Sequence, residues 1–98
     1  MITIYWSVRA EQNYDDILEY LEKNWSLKIK DRFAEDVRST IKAIERFPRI
    51  YPKFRDDEKL RKVVVNRHIS LFYEIINDDE IEIICLWNNR RNPDDLPL

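Results

Sequence analysis

The chain has 98 residues, 17 basic and 19 acidic, with a formal charge of -2 and a pI near 5.4. That length suits one domain with its own core, because a chain of this size buries roughly 60 to 70% of its unfolded surface, and the acidic balance argues against a broad nucleic-acid binder, whose domain pI usually exceeds about 9. Glycine is absent, which excludes phosphate-cradling loops, dinucleotide fingerprints and nucleophile elbows, while the single Cys85 and single His68 exclude an internal disulfide and a cysteine zinc site.

No secretory signal precedes the first apolar run, and charges interrupt every such run before the roughly 20 residues that a bilayer requires, so the expectation is a cytoplasmic protein with no membrane contact and no cofactor. Charge is unevenly spread: residues 1–45 hold 7 basic and 9 acidic side chains, residues 46–67 hold 8 and 3, and residues 68–98 hold 2 and 7. The middle block is the electropositive one, leaving room for a local basic groove.

Ile2-Thr3-Ile4-Tyr5-Trp6 alternates with period two and predicts a strand. Ser7 then has the chemistry of a helix cap, and Ala10, Tyr14, Ile17, Leu18, Leu21 and Trp25 recur at helical spacing to form a core-facing stripe. Asn24 to Ser26 break this helix. A second follows through Ile29, Phe33, Val37, Ile41, Ile44 and Phe47, with Ala34 and Ala43 allowing close approach; the short connection makes the pair antiparallel. Pro48 ends it, because proline forces Phe47 out of helical conformation.

Pro48 to Lys59 reads as a long polar connection, and Leu60 to Asn66 as a strand centred on three valines. Two β-branched and aromatic runs, from Ile69 and up to Trp87, flank the polar Asn77-Asp78-Asp79-Glu80 and predict a hairpin. A three-residue loop at Asp78–Glu80 sets Ile75 opposite Ile83, Tyr73 opposite Cys85 and Leu71 opposite Trp87, making one face wholly apolar. The other face then carries Ser70, Phe72, Glu74, Ile76, Glu82, Ile84, Leu86 and Asn88, a half-apolar surface suited to a partner. With no glycine available, Asn24, Asn66 and Asn77 are expected to take the left-handed turn positions. The fold class is α+β, strand-helix-helix-strand-strand-strand, an antiparallel sheet with a helical hairpin on one face.

Arg90-Arg91, just past the last strand and beside a rigid Asn-Pro step, offers fork recognition of phosphate or carboxylate, with Arg61 and Arg67 from neighbouring strands able to join it. Glu74 and Glu82, placed diagonally on one face, resemble an acid/base pair only in spacing; paired or solvated strand carboxylates are commoner. His68 reads as a solvated turn residue.

Taken together, Ala10, Ile17 and Tyr20, the run Phe33 to Ile44, Phe47-Pro48 with Pro52, Leu71-Phe72-Tyr73-Glu74-Ile75 and the closing Trp87-Asn-Asn-Arg-Arg-Asn-Pro resemble the RelE/ParE superfamily of type II toxin–antitoxin toxins. The resemblance implies a small toxin neutralised by a cognate antitoxin wrapped over sheet and helices, and it also allows a homodimer. ParE-like members are taken to inhibit DNA gyrase, and RelE-like members to cut mRNA on the ribosome. For the nuclease branch Arg61 and Arg90 match basic positions, and Arg67 could join them in stabilising charge on a phosphate; these three are the catalytic candidates if the protein is a nuclease. This chain departs from that branch: Ser70 stands where it has an arginine, Val63 where it has a second basic residue, and the tail offers Asp94, Asp95, Leu96 and Leu98 in place of a tyrosine or histidine. The resemblance therefore leans to the gyrase-type toxin, with antitoxin or target contacts at Phe72, Ile76, Ile84, Leu86, Arg90 and Arg91. The alternatives are the ribosome-dependent nuclease and an inactive homologue surviving as a binding module.

Overall fold

The computed structural model describes residues 1–98 as β1 (Thr3–Trp6), α1 (Val8–Asn24), α2 (Leu27–Arg46), β2 (Lys53–Phe54), β3 (Asp57–Val64), β4 (Ile69–Asn77), β5 (Glu80–Asn88) and a single 3₁₀ turn at Pro93–Asp95. The sheet runs β1-β5-β4-β3-β2. It is mixed, not antiparallel throughout: β1 joins β5 in parallel at one edge, while β5, β4, β3 and β2 pair antiparallel. The parallel step follows from the helical hairpin, which supplies the long crossover that such a pairing needs.

Both helices begin on serine. Ser7 Oγ accepts the Ala10 N–H at 3.0 Å and Ser26 Oγ accepts that of Ile29 at 3.1 Å, each satisfying a donor that the first helical turn leaves free. Phe47 closes α2 as its C-cap at φ -138°, ψ 77°, the extended conformation that Pro48 imposes. One core lies between the helices and the sheet, built from Ala10, Phe33, Val37, Ile44, Val63, Ile69, Leu71, Tyr73, Ile75, Ile81, Ile83 and Leu86. The ends of the two helical stripes miss it: Trp25, Ile29 and Phe47 are exposed.

The hairpin register differs from the sequence reading. Ile75 pairs with Ile81, Glu74 with Glu82 and Tyr73 with Ile83, then Phe72 with Cys85, Leu71 with Leu86 and Ser70 with Trp87. Asn77 pairs with Glu80, so the turn holds two residues, Asp78 and Asp79. Two bulges make this register possible, with Ile76 left unpaired on β4 and Ile84 on β5. The second bulge switches faces for everything after it. Leu86 passes into the main core, and Cys85 and Trp87 pass to the opposite face beside Phe72.

A bulge leaves main-chain groups without ladder partners, and α1 supplies them here. Ser7 Oγ donates to the Ile84 carbonyl at 2.7 Å, and Asn13 Oδ1 accepts the Leu86 N–H at 3.2 Å. Ser7 thus caps the helix and fixes the strand with one hydroxyl.

The asparagines expected at left-handed positions act instead through their side chains. Asn66 Oδ1 accepts the N–H groups of His68 and Ile69, Asn77 Oδ1 accepts that of Asp79, and Asn24 Nδ2 donates to the Tyr20 carbonyl. The positive φ values belong to Arg55 (56°) and Asp56 (60°), the two central residues of a tight hairpin turn between β2 and β3. The connection from Pro48 to Lys59 is therefore a short strand, a turn and the start of β3, not an open loop.

Candidate functional site

The residues expected on a partner-facing surface fall in three places. Phe72 is only 2% exposed and forms a second apolar cluster with Cys85 and Trp87 on the sheet face away from the helices. Phe54, the half-buried Ile84 and the tail residues Leu96 and Leu98 pack against it. Ile76, freed by its bulge, stays exposed. Leu86 is 3% exposed and belongs to the main core, so its place on the partner surface is corrected by the register.

The second face is thus closed by the chain's own C-terminal segment. Phe54 meets Phe72 edge-on at 5.0 Å between ring centroids, and Arg55 Nη1 donates to the Leu98 main-chain oxygen at 2.6 Å. Three cations lie over these rings: Arg55 over Phe54 at 5.1 Å, Lys62 over Phe72 at 5.9 Å and Arg91 over Trp87 at 4.4 Å. Burial pushes the Cys85 thiol up to about 11, with Arg9 pulling weakly the other way.

Arg61 occupies the helix-side face and has a structural task. It is 7% exposed and spends its guanidinium on main-chain carbonyls, Nε on Glu58 at 2.9 Å and Nη1 on Tyr51 at 3.0 Å and Arg49 at 3.4 Å, with Nη2 on the Glu58 carboxylate at 2.9 Å. Opposite it in the sheet, Tyr73 donates its hydroxyl to the Pro48 carbonyl at 2.6 Å. Burial is what chiefly pushes the Tyr73 phenol up to about 12. Arg61 and Tyr73 together pin the turn from Pro48 to Tyr51, which explains why a charge is buried here and leaves no free fork on Arg61 for phosphate. That turn forms one wall of an open groove of about 600 Å³, lined by Arg46, Phe47, Pro48, Arg49, Ile50, Ile75, Asn77 and Asp78.

Arg67, His68, Arg90 and Arg91 are exposed and share one end of the sheet, because the His68 carbonyl accepts the Asn89 N–H at 2.8 Å and Ser70 Oγ donates to Asn89 Oδ1 at 2.8 Å. Ser70 is fully buried in that bond, and the arginine pair is held beside the β3–β4 turn. Arg61 does not join them. Glu74 and Glu82 are direct cross-strand partners, closer than the expected diagonal. The clasp between Arg55 and the tail escaped sequence reasoning; the signal available was the apolar Leu96 and Leu98 after an acidic stretch.

The family model for the ParE toxin of the type II toxin–antitoxin system parDE matches residues 4–93. The chain belongs to the ParE toxin family. It is therefore a toxin of the RelE/ParE superfamily, and the match runs from β1 through β5. Solved structures share the fold at low identity. The chromosomal ParDE system of P. aeruginosa superposes with a TM-score of 0.72 at 14% identity, over 90% of this chain and 96% of that one. A YoeB/ParE toxin from Agrobacterium tumefaciens gives 0.67 at 13%, over 89% and 98%, and the E. coli DinJ-YafQ complex 0.61 at 9%, over 90% and 93%. No curated protein sequence matches the chain. No helix of this ParE-family toxin is long and apolar enough to cross a membrane.

Proposed function

We propose that the protein is a ParE-like toxin that inhibits DNA gyrase by protein contact and is neutralised by a cognate antitoxin. The observation that carries this reading is the commitment of Arg61 to the carbonyls of Arg49, Tyr51 and Glu58. Cleavage of RNA requires groups that take a proton from the 2′-hydroxyl, stabilise the charged phosphate and protonate the leaving oxygen. Arg61 would be the phosphate-stabilising residue of the nuclease branch, and its guanidinium is already satisfied. The family match favours the same branch. The antitoxin partner is supported by the family match and by the structural relatives, one of which is a ParDE toxin–antitoxin system and another the DinJ-YafQ complex.

The second reading is a RelE-like nuclease. One arrangement favours it: Arg67, His68, Arg90 and Arg91 gather at one sheet end, where a phosphate and a general base could meet. The experiment that separates the two is induction of this chain alone in a bacterial host, with pulse-labelling of DNA and protein synthesis. DNA synthesis is expected to fall first, purified protein is expected to inhibit supercoiling by gyrase, and co-expression of a cognate antitoxin is expected to restore growth. Early arrest of protein synthesis with mRNA cleavage, abolished by Arg90→Ala, would overturn the gyrase reading.

A further inference from the structure

We propose that the groove between the C-terminal end of α2 and the β4–β5 turn is a two-fold interface between two copies of this chain, in which the Pro48–Tyr51 turn of each copy fills the groove of the other. The groove joins two opposite charges across an apolar surface. Arg46 and Arg49 belong to the side made by the helix end and the turn, Asp78 belongs to the hairpin side, and Phe47, Ile50 and Ile75 supply the apolar lining. The two sides do not neutralise each other. Arg46 and Asp78 form no ion pair within the chain, and Arg49 reaches only the exposed Glu58 carboxylate, at 3.9 Å.

The turn is fixed before any partner arrives. The Tyr73 hydroxyl holds the Pro48 carbonyl, Arg61 holds those of Arg49 and Tyr51, and the Ile50 N–H bonds to the Phe47 carbonyl at 3.0 Å. Yet the segment so fixed presents Ile50, 60% exposed, and Phe47, 56% exposed. Groups already held in place lose little freedom on association, and that loss is a chief cost for a small interface. A buried tyrosine and a buried arginine thus hold out an apolar head that the chain itself leaves uncovered.

Charge complementarity names the occupant. It has to bring an apolar head, a cation to meet Asp78 and a carboxylate to meet Arg46 and Arg49. The chain carries this set at the same place, with Arg49 beside Ile50 in the turn and Asp78 on the hairpin side of the groove. A two-fold axis through the groove sets Ile50 of one copy on Phe47 and Ile75 of the other and brings Arg49 of each to Asp78 of its mate, so that every favourable contact is made twice. The inference concerns this groove alone and does not rest on the gyrase reading.

Sedimentation velocity of the full-length chain, from about 1 to about 200 μM, reads the association directly; an interface at the small end of the stable range is expected to give a dissociation constant of about 10 μM. Arg49→Glu and Asp78→Lys each set like charges against one another and are expected to weaken the dimer at least about tenfold. Mixed one to one, the two variants are expected to form the dimer again, because each introduced charge then faces its opposite on the other copy. Ile50→Ser is expected to weaken it by about tenfold through lost apolar burial. All three positions are exposed in the single chain, so the variants keep the fold, which circular dichroism verifies. A wild-type chain that stays monomeric to about 200 μM leaves the groove to another kind of partner and overturns the proposal. A dimer that none of the three substitutions weakens has its interface elsewhere and overturns it too. Single variants that weaken the dimer but do not restore it when mixed overturn the two-fold pairing of Arg49 with Asp78.

Discussion

Arg61→Ala is expected to destabilise the fold by about 3 kcal/mol while leaving no direct chemical deficit. The magnitude comes from its bonds. Three carbonyls, those of Arg49, Tyr51 and Glu58, lose a charged donor, and each bond of this kind is worth about 1.5 to 3 kcal/mol before water replaces it. The turn is at the surface, so water restores part of that. The ion pair with Glu58 adds little, because the carboxylate is 69% exposed and screened. Urea titration of the variant should show a lower midpoint with an unchanged slope, and thermal unfolding a fall of roughly 10 to 20 °C. Arg61→Lys should recover less than half, since an ammonium cannot span carbonyls reached by a planar fork. A loss under 0.5 kcal/mol would refute the assignment of Arg61 to the Pro48–Tyr51 turn. Unchanged stability together with abolished RNA cleavage would return Arg61 to catalysis.

Ser7→Ala removes both the α1 cap and the bond to the bulge carbonyl of Ile84, and should cost about 2 kcal/mol, twice an ordinary cap; a loss equal to that of Ser26→Ala, read by urea titration, would show that the bulge bond contributes nothing. Asp56→Gly should stabilise by about 1 kcal/mol, because glycine occupies φ 60° without the penalty a β-carbon brings, and a lower thermal midpoint would contradict it. Alkali provides a further check. Tyr73 and Cys85 are pushed up to about 12 and about 11, above the values of an unfolded chain, so each contributes stability that is fully present below its unfolded pKa and is lost as pH rises through the folded one. Stability should therefore be flat with respect to these groups at neutral pH and fall between about pH 9 and pH 12; Tyr73→Phe should be less stable near pH 8 through loss of the Pro48 bond, yet show a shallower alkaline decline. An equal decline in wild type and variant would remove Tyr73 from the account.

Local chemistry was enough for the elements that depend on neighbours in sequence. Ser7 and Ser26 precede amphipathic stripes, Pro48 stops the second helix, and polar residues at 77–80 reverse the chain, so two helices and a hairpin follow from spacing and capping alone. The absence of glycine likewise pointed to unusual turns. It did not say which, because Arg55 and Asp56 adopt positive φ only under the pairing of Phe54 with Asp57 across the turn.

Face assignment was beyond reach of the alternation pattern. A strict period of two assumes an uninterrupted ladder, and the bulges at Ile76 and Ile84 each shift it by one residue. The main-chain groups of the Ile84 bulge are satisfied by Ser7 and Asn13, some seventy residues away in sequence, so only the packed structure moves Leu86 into the core and Trp87 out of it. The same holds for charge. The sequence by itself determined an α+β fold of the RelE/ParE kind, with a basic middle block and an arginine pair after the last strand. Tertiary structure decided that Arg61 is consumed inside the fold while Arg90 and Arg91 stay exposed, and that the tail covers the apolar face, because burial and hydrogen-bond partners belong to residues brought together from distant parts of the chain.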